Sequence, residues 1–165
     1  MVAKAMIVMR HGEAEMTARS DAERRLTAEG RLQAESVGRS INQVVTPEVI
    51  FASPYVRAQE TAHIVAQTFG STISIETLPI ITPDSDVGRV ARWCDSLDSI
   101  ALIVTHMPLI AYLLQGFARV SASVGTGCAF GLKPCEDGQS VQAPVWRLAF
   151  TARPHCEVEV VEAVE

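Results

Sequence analysis

Arginine and histidine recur in this chain where strands should end. Arg10-His11 follows the apolar run Ala5–Met9 directly, Arg57 lies shortly after the run Val49–Ala52, and His106 comes just past the run Ile100–Val104. A neutral imidazole is a good nucleophile toward phosphorus, and guanidiniums can neutralise phosphoryl oxygens as charge shifts during transfer. Arginine suits that task because its planar fork matches paired oxygens. Taken singly, each residue is a weak signal. A histidine after a strand is more often a structural hydrogen-bonder, and a lone arginine in the first turn of a helix is usually a solvated side chain. Weight comes from three separate pieces arriving at strand ends in the same register.

The elements that would position these residues follow from hydrophobic periodicity. Ala5–Met9 reads as a strand buried on both faces. A polar loop, Glu13 to Arg25, precedes a helix capped by Thr27, with Glu29 in its first turn and Ala34, Val37, Ile41 and Val44 on its apolar face. Val49–Ala52 is the second strand. Ser53-Pro54 should open the next helix, with serine as cap and proline at the first helical position. Ala58, Ala62, Val65 and Phe69 form its buried stripe. Ile73 and Ile75 mark a short third strand, and a helix from about Asp86 to Leu97 turns Val87, Val90, Ala91 and Cys94 inward. Ile100–Val104 is the clearest strand, and Pro108 opens a helix containing Leu109, Ile110, Leu113 and Leu114. Two late strands follow a glycine-rich stretch, as a hairpin joined through Cys135-Glu136-Asp137-Gly138. The Glu-Val alternation after Glu157 has no functional reading.

Strands alternating with helices give a three-layer α/β/α fold with a mainly parallel central sheet. If the strands are parallel, Arg10, His11, Arg57 and His106 gather at their carboxyl ends, where open α/β sheets bind ligands beside helix N-termini. Two guanidiniums, two imidazoles and a helix N-terminus, with no carboxylate expected among them, make a seat for a dianion. Phosphate is the natural candidate.

The 165 residues, 48% hydrophobic and 20% charged, suffice for one domain spanning residues 1–165. A net charge of −5 argues against general nucleic-acid binding. No segment reads as a bilayer span, and the N-terminal run leads straight into Arg10-His11, as a strand and not as a secretory signal. The four cysteines, Cys94, Cys128, Cys135 and Cys156, form no C-x-x-C pair, which suits free thiols in a reducing, cytoplasmic setting. No carboxylate cluster or zinc spacing is evident, so neither metal nor cofactor is expected.

Four blocks also resemble a known family. Met9-Arg10-His11-Gly12-Glu13-Ala14 looks like the Arg-His-Gly signature of the histidine phosphatase superfamily, which includes the cofactor-dependent phosphoglycerate mutases. Leu26-Thr27-Ala28-Glu29-Gly30 with Gln33-Ala34, then Ser53 to Ala62, then Thr105-His106-Met107-Pro108, resemble its later blocks, in the family's order. Within the superfamily the chain is most similar to the short SixA-type phosphohistidine phosphatases. The resemblance implies a phosphoglycerate mutase-like fold, His11 as nucleophile, Arg10 and Arg57 on the phosphoryl oxygens and His106 stabilising the transferring group. Arg24 matches a further substrate-facing arginine of the subgroup, with the adjacent Arg25 as competitor for that role.

Two departures from the superfamily pattern shape the functional expectation. No carboxylate falls where many members carry the acid that protonates the leaving oxygen; Asp84 and Asp86 come slightly later. Only about a helix separates the third strand from the His106 strand, so no large cap is inserted there. A shallow, open pocket without an acid suits a phosphohistidine on a protein, such as a phosphotransfer domain. The alternatives are a phosphatase or mutase of small phosphomonoesters, and a phosphate-binding module without turnover.

Overall fold

The computed structural model describes residues 4–135 and 145–164. Seven strands form one sheet in the order β3-β2-β4-β1-β5-β6-β7. They are β1 (Ala5–Arg10), β2 (Val49–Ala52), β3 (Ser74–Thr77), β4 (Ile100–Thr105), β5 (Ala129–Pro134), β6 (Trp146–Ala152) and β7 (Glu159–Val160). The helices are α1 (Ala28–Val44), α2 (Val56–Thr68), α3 (Val87–Asp95) and α4 (Leu109–Ala118). Strands β3, β2, β4 and β1 are mutually parallel, and β5 to β7 add antiparallel strands beyond β1.

Side chains alternate across the buried strands and so feed two cores. Ile7 and Met9 of β1 pack with Ala34, Val37 and Ile41 of α1 and with Ala58, Ala62 and Val65 of α2. Met6 and Val8 face the other way, toward Val90 and Cys94 of α3 and Leu109, Ile110 and Leu113 of α4. Two helices therefore cover each face, the three-layer arrangement expected from the alternation. Each fully buried aliphatic side chain contributes about 2 kcal/mol. Strand β1, buried over Ala5 to Met9, is consequently a firm base for Arg10 at its end and for His11 just beyond it.

Local signals mostly fall where the sequence puts them. Thr27 caps α1, its hydroxyl accepting from the Gly30 N–H at 3.0 Å. Asp86 caps α3 by accepting from the Arg89 N–H at 2.7 Å. The expected start of α2 is corrected. The helix begins at Val56 with Tyr55 at its N-cap, and Ser53 and Pro54 lie outside it. The Ser53 hydroxyl is occupied elsewhere, at 2.7 Å from His106 Nε2 and accepting from the Tyr55 N–H at 3.3 Å. The late hairpin is present as antiparallel β5 and β6. Its expected connection through Glu136, Asp137 and Gly138 lies outside the described residues. The acidic tail supplies β7, paired through Val160 to Phe150, and Glu162 ties it to Lys133 and to Arg147 Nε at 2.7 Å. No helix among the described residues is long and apolar enough to cross a membrane.

Candidate active site

Parallel pairing in register carries the site residues to one edge. Arg10 sits opposite Thr105 and Ala52 opposite Val104. The backbone ladder runs one step further, with the His11 N–H donating to Thr105 O at 3.1 Å and the Ser53 N–H to Val104 O at 3.1 Å. His11, Ser53 and His106 therefore emerge side by side from β1, β2 and β4. The His11 and His106 rings lie 5.1 Å apart, and Tyr55 packs edge-on against His106 at 5.1 Å.

Two glycines allow the loop after β1 to approach α1. A Cβ on Gly12 would meet Gly30 O at 2.4 Å, and one on Gly30 would meet Glu13 O at 2.0 Å. The glycine of Arg-His-Gly and the glycine of Leu-Thr-Ala-Glu-Gly are thus halves of one contact. Thr61, fully buried in α2, completes the mounting. Its hydroxyl accepts from the Gly12 N–H at 3.0 Å and donates to Arg57 O at 2.7 Å, so one side chain ties the histidine loop to the turn carrying Arg57.

The hydrogen bonds assign His11 its tautomer. Nδ1 is 2.7 Å from Gly12 O, which can only accept, so Nδ1 carries the hydrogen. The lone pair is then on Nε2, where it accepts from Arg57 Nε at 3.2 Å. Burial pushes the His11 pKa down to about 4, with the cations of Arg57, Arg10 and Arg24 adding to the effect against the Gly12 hydrogen bond. His106 is lowered to about 3, by burial first and then by His11 and Arg57. Both imidazoles are therefore neutral near pH 7. Arg10 donates through Nη1 to Val124 O at 2.8 Å, and burial lowers its pKa from the usual arginine value, although a guanidinium stays charged. Arg10 Nε and His106 Nδ1 are buried and have no partner among the described residues, which leaves hydrogen-bonding capacity unspent beside His11.

The loop from Glu13 to Arg25 supplies what the sequence reading missed. The short bridge Ala14–Leu26 closes it, and Asp21–Glu23 forms one turn of 3-10 helix within it. There Asp21 reaches Arg57 Nη2 at 3.1 Å and Arg24 Nη1 at 2.9 Å. The expectation of no carboxylate in the arginine ring is thereby overturned: the loop folds back over Arg57 and brings one in. Of the two adjacent arginines, Arg24 joins this cluster, also donating from Nε to Glu15 O at 2.6 Å. Arg25 is 71% exposed and faces Glu60 at 4.0 Å. Asp84 and Asp86 are engaged elsewhere, with Thr82 and with the α3 cap. No spacing signal marks Asp21. Ser53 and Thr61 lie in a block that resembles the family, but their tasks appear only once strand ends and helix are assembled.

The family model of the histidine phosphatase superfamily (branch 1) matches residues 6–81. Phosphohistidine phosphatase SixA of Escherichia coli (strain K12) is 34% identical over 114 residues, covering 66% of this chain and 71% of that protein. The chain belongs to the histidine phosphatase superfamily. A SixA homolog of Haemophilus influenzae is 37% identical over 121 residues, covering 66% of this chain and 74% of that one. A solved structure of the protein histidine phosphatase SixA complexed with tungstate superposes with a TM-score of 0.79 at 26% identity, covering 92% of this chain and 97% of that one. By class, this superfamily member is a phosphatase, and the fold read from the sequence is the one observed.

Proposed function

We propose that the protein is a phosphohistidine phosphatase that takes a phosphoryl group from a histidine of a partner protein, such as a phosphotransfer domain, onto His11. The observation that carries this reading is a neutral His11 whose Nε2 lone pair faces Arg57, while Asp21, the carboxylate beside it, is held ionised. The SixA relatives support the substrate class.

In this account Nε2 of His11 attacks phosphorus and the P–N bond of the substrate breaks. The substrate ring, already protonated on its other nitrogen, keeps the electron pair of that bond and leaves as a neutral imidazole. Arg10 and Arg57 hold the phosphoryl oxygens, Arg24 holds the outer edge of the group, and His106 donates a hydrogen bond to it. Water then attacks phosphorus, and Nε2 leaves with its lone pair restored. An alkyl ester would instead expel an alkoxide, for which a positioned acid typically supplies about 10²–10⁴-fold. Arg24 holds Asp21 below the usual carboxylate range, with Arg57 assisting, so Asp21 has no proton to give near pH 7. The chain acts as one domain without a large cap, which leaves the site open to a protein-borne phosphate.

The test is kcat/KM for a phosphohistidine protein, an aryl phosphate and an alkyl phosphate, measured together in the presence of chelator. The expected order is phosphohistidine, then aryl, then alkyl, with chelator having no effect. Alkyl turnover equal to phosphohistidine turnover would favour the small-monoester reading, and a requirement for added metal would contradict the arginine-based site.

A further inference from the structure

All three nitrogens of the Arg57 guanidinium are engaged within the protein. Nε donates to His11 Nε2 at 3.2 Å, Nη1 to the main-chain O of Asp21 at 2.6 Å, and Nη2 to Asp21 Oδ2 at 3.1 Å. The other carboxylate oxygen, Oδ1, accepts from Arg24 at 2.9 Å. One carboxylate thus spans two guanidiniums with its two oxygens, the contacts that two phosphoryl oxygens would make. We propose that Asp21 is an internal competitor of the phosphoryl group, a carboxylate that occupies Nη2 of Arg57 and Nη1 of Arg24 and must withdraw before phosphate can take these two donors. The inference rests on the phosphoryl site proposed above.

Three features make this an exchange and not a permanent brace. Arg57 is 5% exposed at its side chain, whereas the Asp21 side chain is 56% exposed, so the carboxylate can swing into water while the guanidinium stays. Asp21 sits on a single 3-10 turn in a loop closed by one short bridge, away from either core. It competes as an anion throughout the neutral range, because both arginines keep it ionised. The consequence is selectivity by affinity. A free phosphate ion must displace Asp21 with its own contacts alone, whereas a phosphoryl group on a protein brings binding energy from the rest of that protein. Product phosphate is then released readily.

A brace and a competitor predict opposite signs. If the carboxylate braces Arg57, its removal weakens phosphate binding; if it competes, removal strengthens it. Calorimetric titration of the full chain with inorganic phosphate decides between them, for wild type, Asp21→Asn and Asp21→Ser, alongside phosphate inhibition of aryl phosphate turnover. Glu23→Gln is the control, since it removes a charge from the same turn. Both Asp21 variants should bind phosphate roughly three- to tenfold more tightly and be inhibited at correspondingly lower concentration. Glu23→Gln should stay within about twofold of wild type, the scale of a surface charge. Wild-type binding with no gain, or a loss, in the folded Asp21 variants overturns this inference alone, as does an equal gain in Glu23→Gln. A wild-type protein that neither binds phosphate nor turns over any phosphoryl substrate overturns the reading beneath it.

Discussion

At the scale of single residues, the proposed attack on phosphorus requires His11 to be neutral with its lone pair on Nε2. An NMR titration of the His11 ring should give a midpoint near 4, well below the 6.5 of a free histidine. The sign of the stability effect follows. Between pH 6.5 and about 4 the unfolded chain binds protons at these histidines that the folded protein refuses, so acidification favours unfolding. Denaturant titrations should show the contribution of His11 intact above pH 6.5 and lost progressively down to about pH 4. His106 should continue the loss toward pH 3, for a combined change on the order of 8 kcal/mol at most. A His11 midpoint near 6.5 would contradict the burial argument. Arg57 offers a second check. Lysine keeps the charge but cannot reach His11 and Asp21 at once, so Arg57→Lys should lose about 10²-fold in kcat/KM with the fold retained. Activity close to wild type would reduce Arg57 to a diffuse positive charge.

At the scale of elements, the contact between the histidine loop and the first turn of α1 sets the placement of His11. Gly30→Ala would push a methyl into Glu13 O, so unfolding free energy should fall by about 1–3 kcal/mol and activity should fall with it. Gly116→Ala is the counterpart: nothing lies within 4 Å of its Cβ, and an alanine inside α4 should be neutral or stabilise by up to about 1 kcal/mol. If the two variants melt alike, the loop does not pack on α1 as described. These elements also mark the limit of what the sequence reveals. Buried strands and amphipathic helices follow from short-range pattern, and β2, α1 and α4 lie where that pattern puts them. Once the strands are taken as parallel, their carboxyl ends locate Arg10, His11, Arg57 and His106. The start of α2 is misread because a serine that looks like a cap is recruited by His106, a residue 53 positions away. Asp21 is illegible for the same reason. A loop carboxylate acquires meaning only when its loop folds back over Arg57.

At the scale of the whole molecule, two helices on each face leave the strand ends on the β1–β2–β4 side to present a histidine, guanidiniums and an aspartate, Asp21, that its arginine partners keep from holding a proton near pH 7. That combination favours a substrate that supplies its own leaving-group proton and much of its binding energy, which a phosphohistidine on a protein does. The decisive step of the proposed reaction is covalent, with the phosphoryl group passing through His11 before it meets water. The stereochemical course at phosphorus tests this most directly, using a partner protein whose histidine carries an isotopically chiral thiophosphoryl group. Two successive in-line displacements, first by His11 Nε2 and then by water, predict overall retention of configuration. Inversion would mean that water attacks the substrate in a single step, and His11 would then not be the nucleophile.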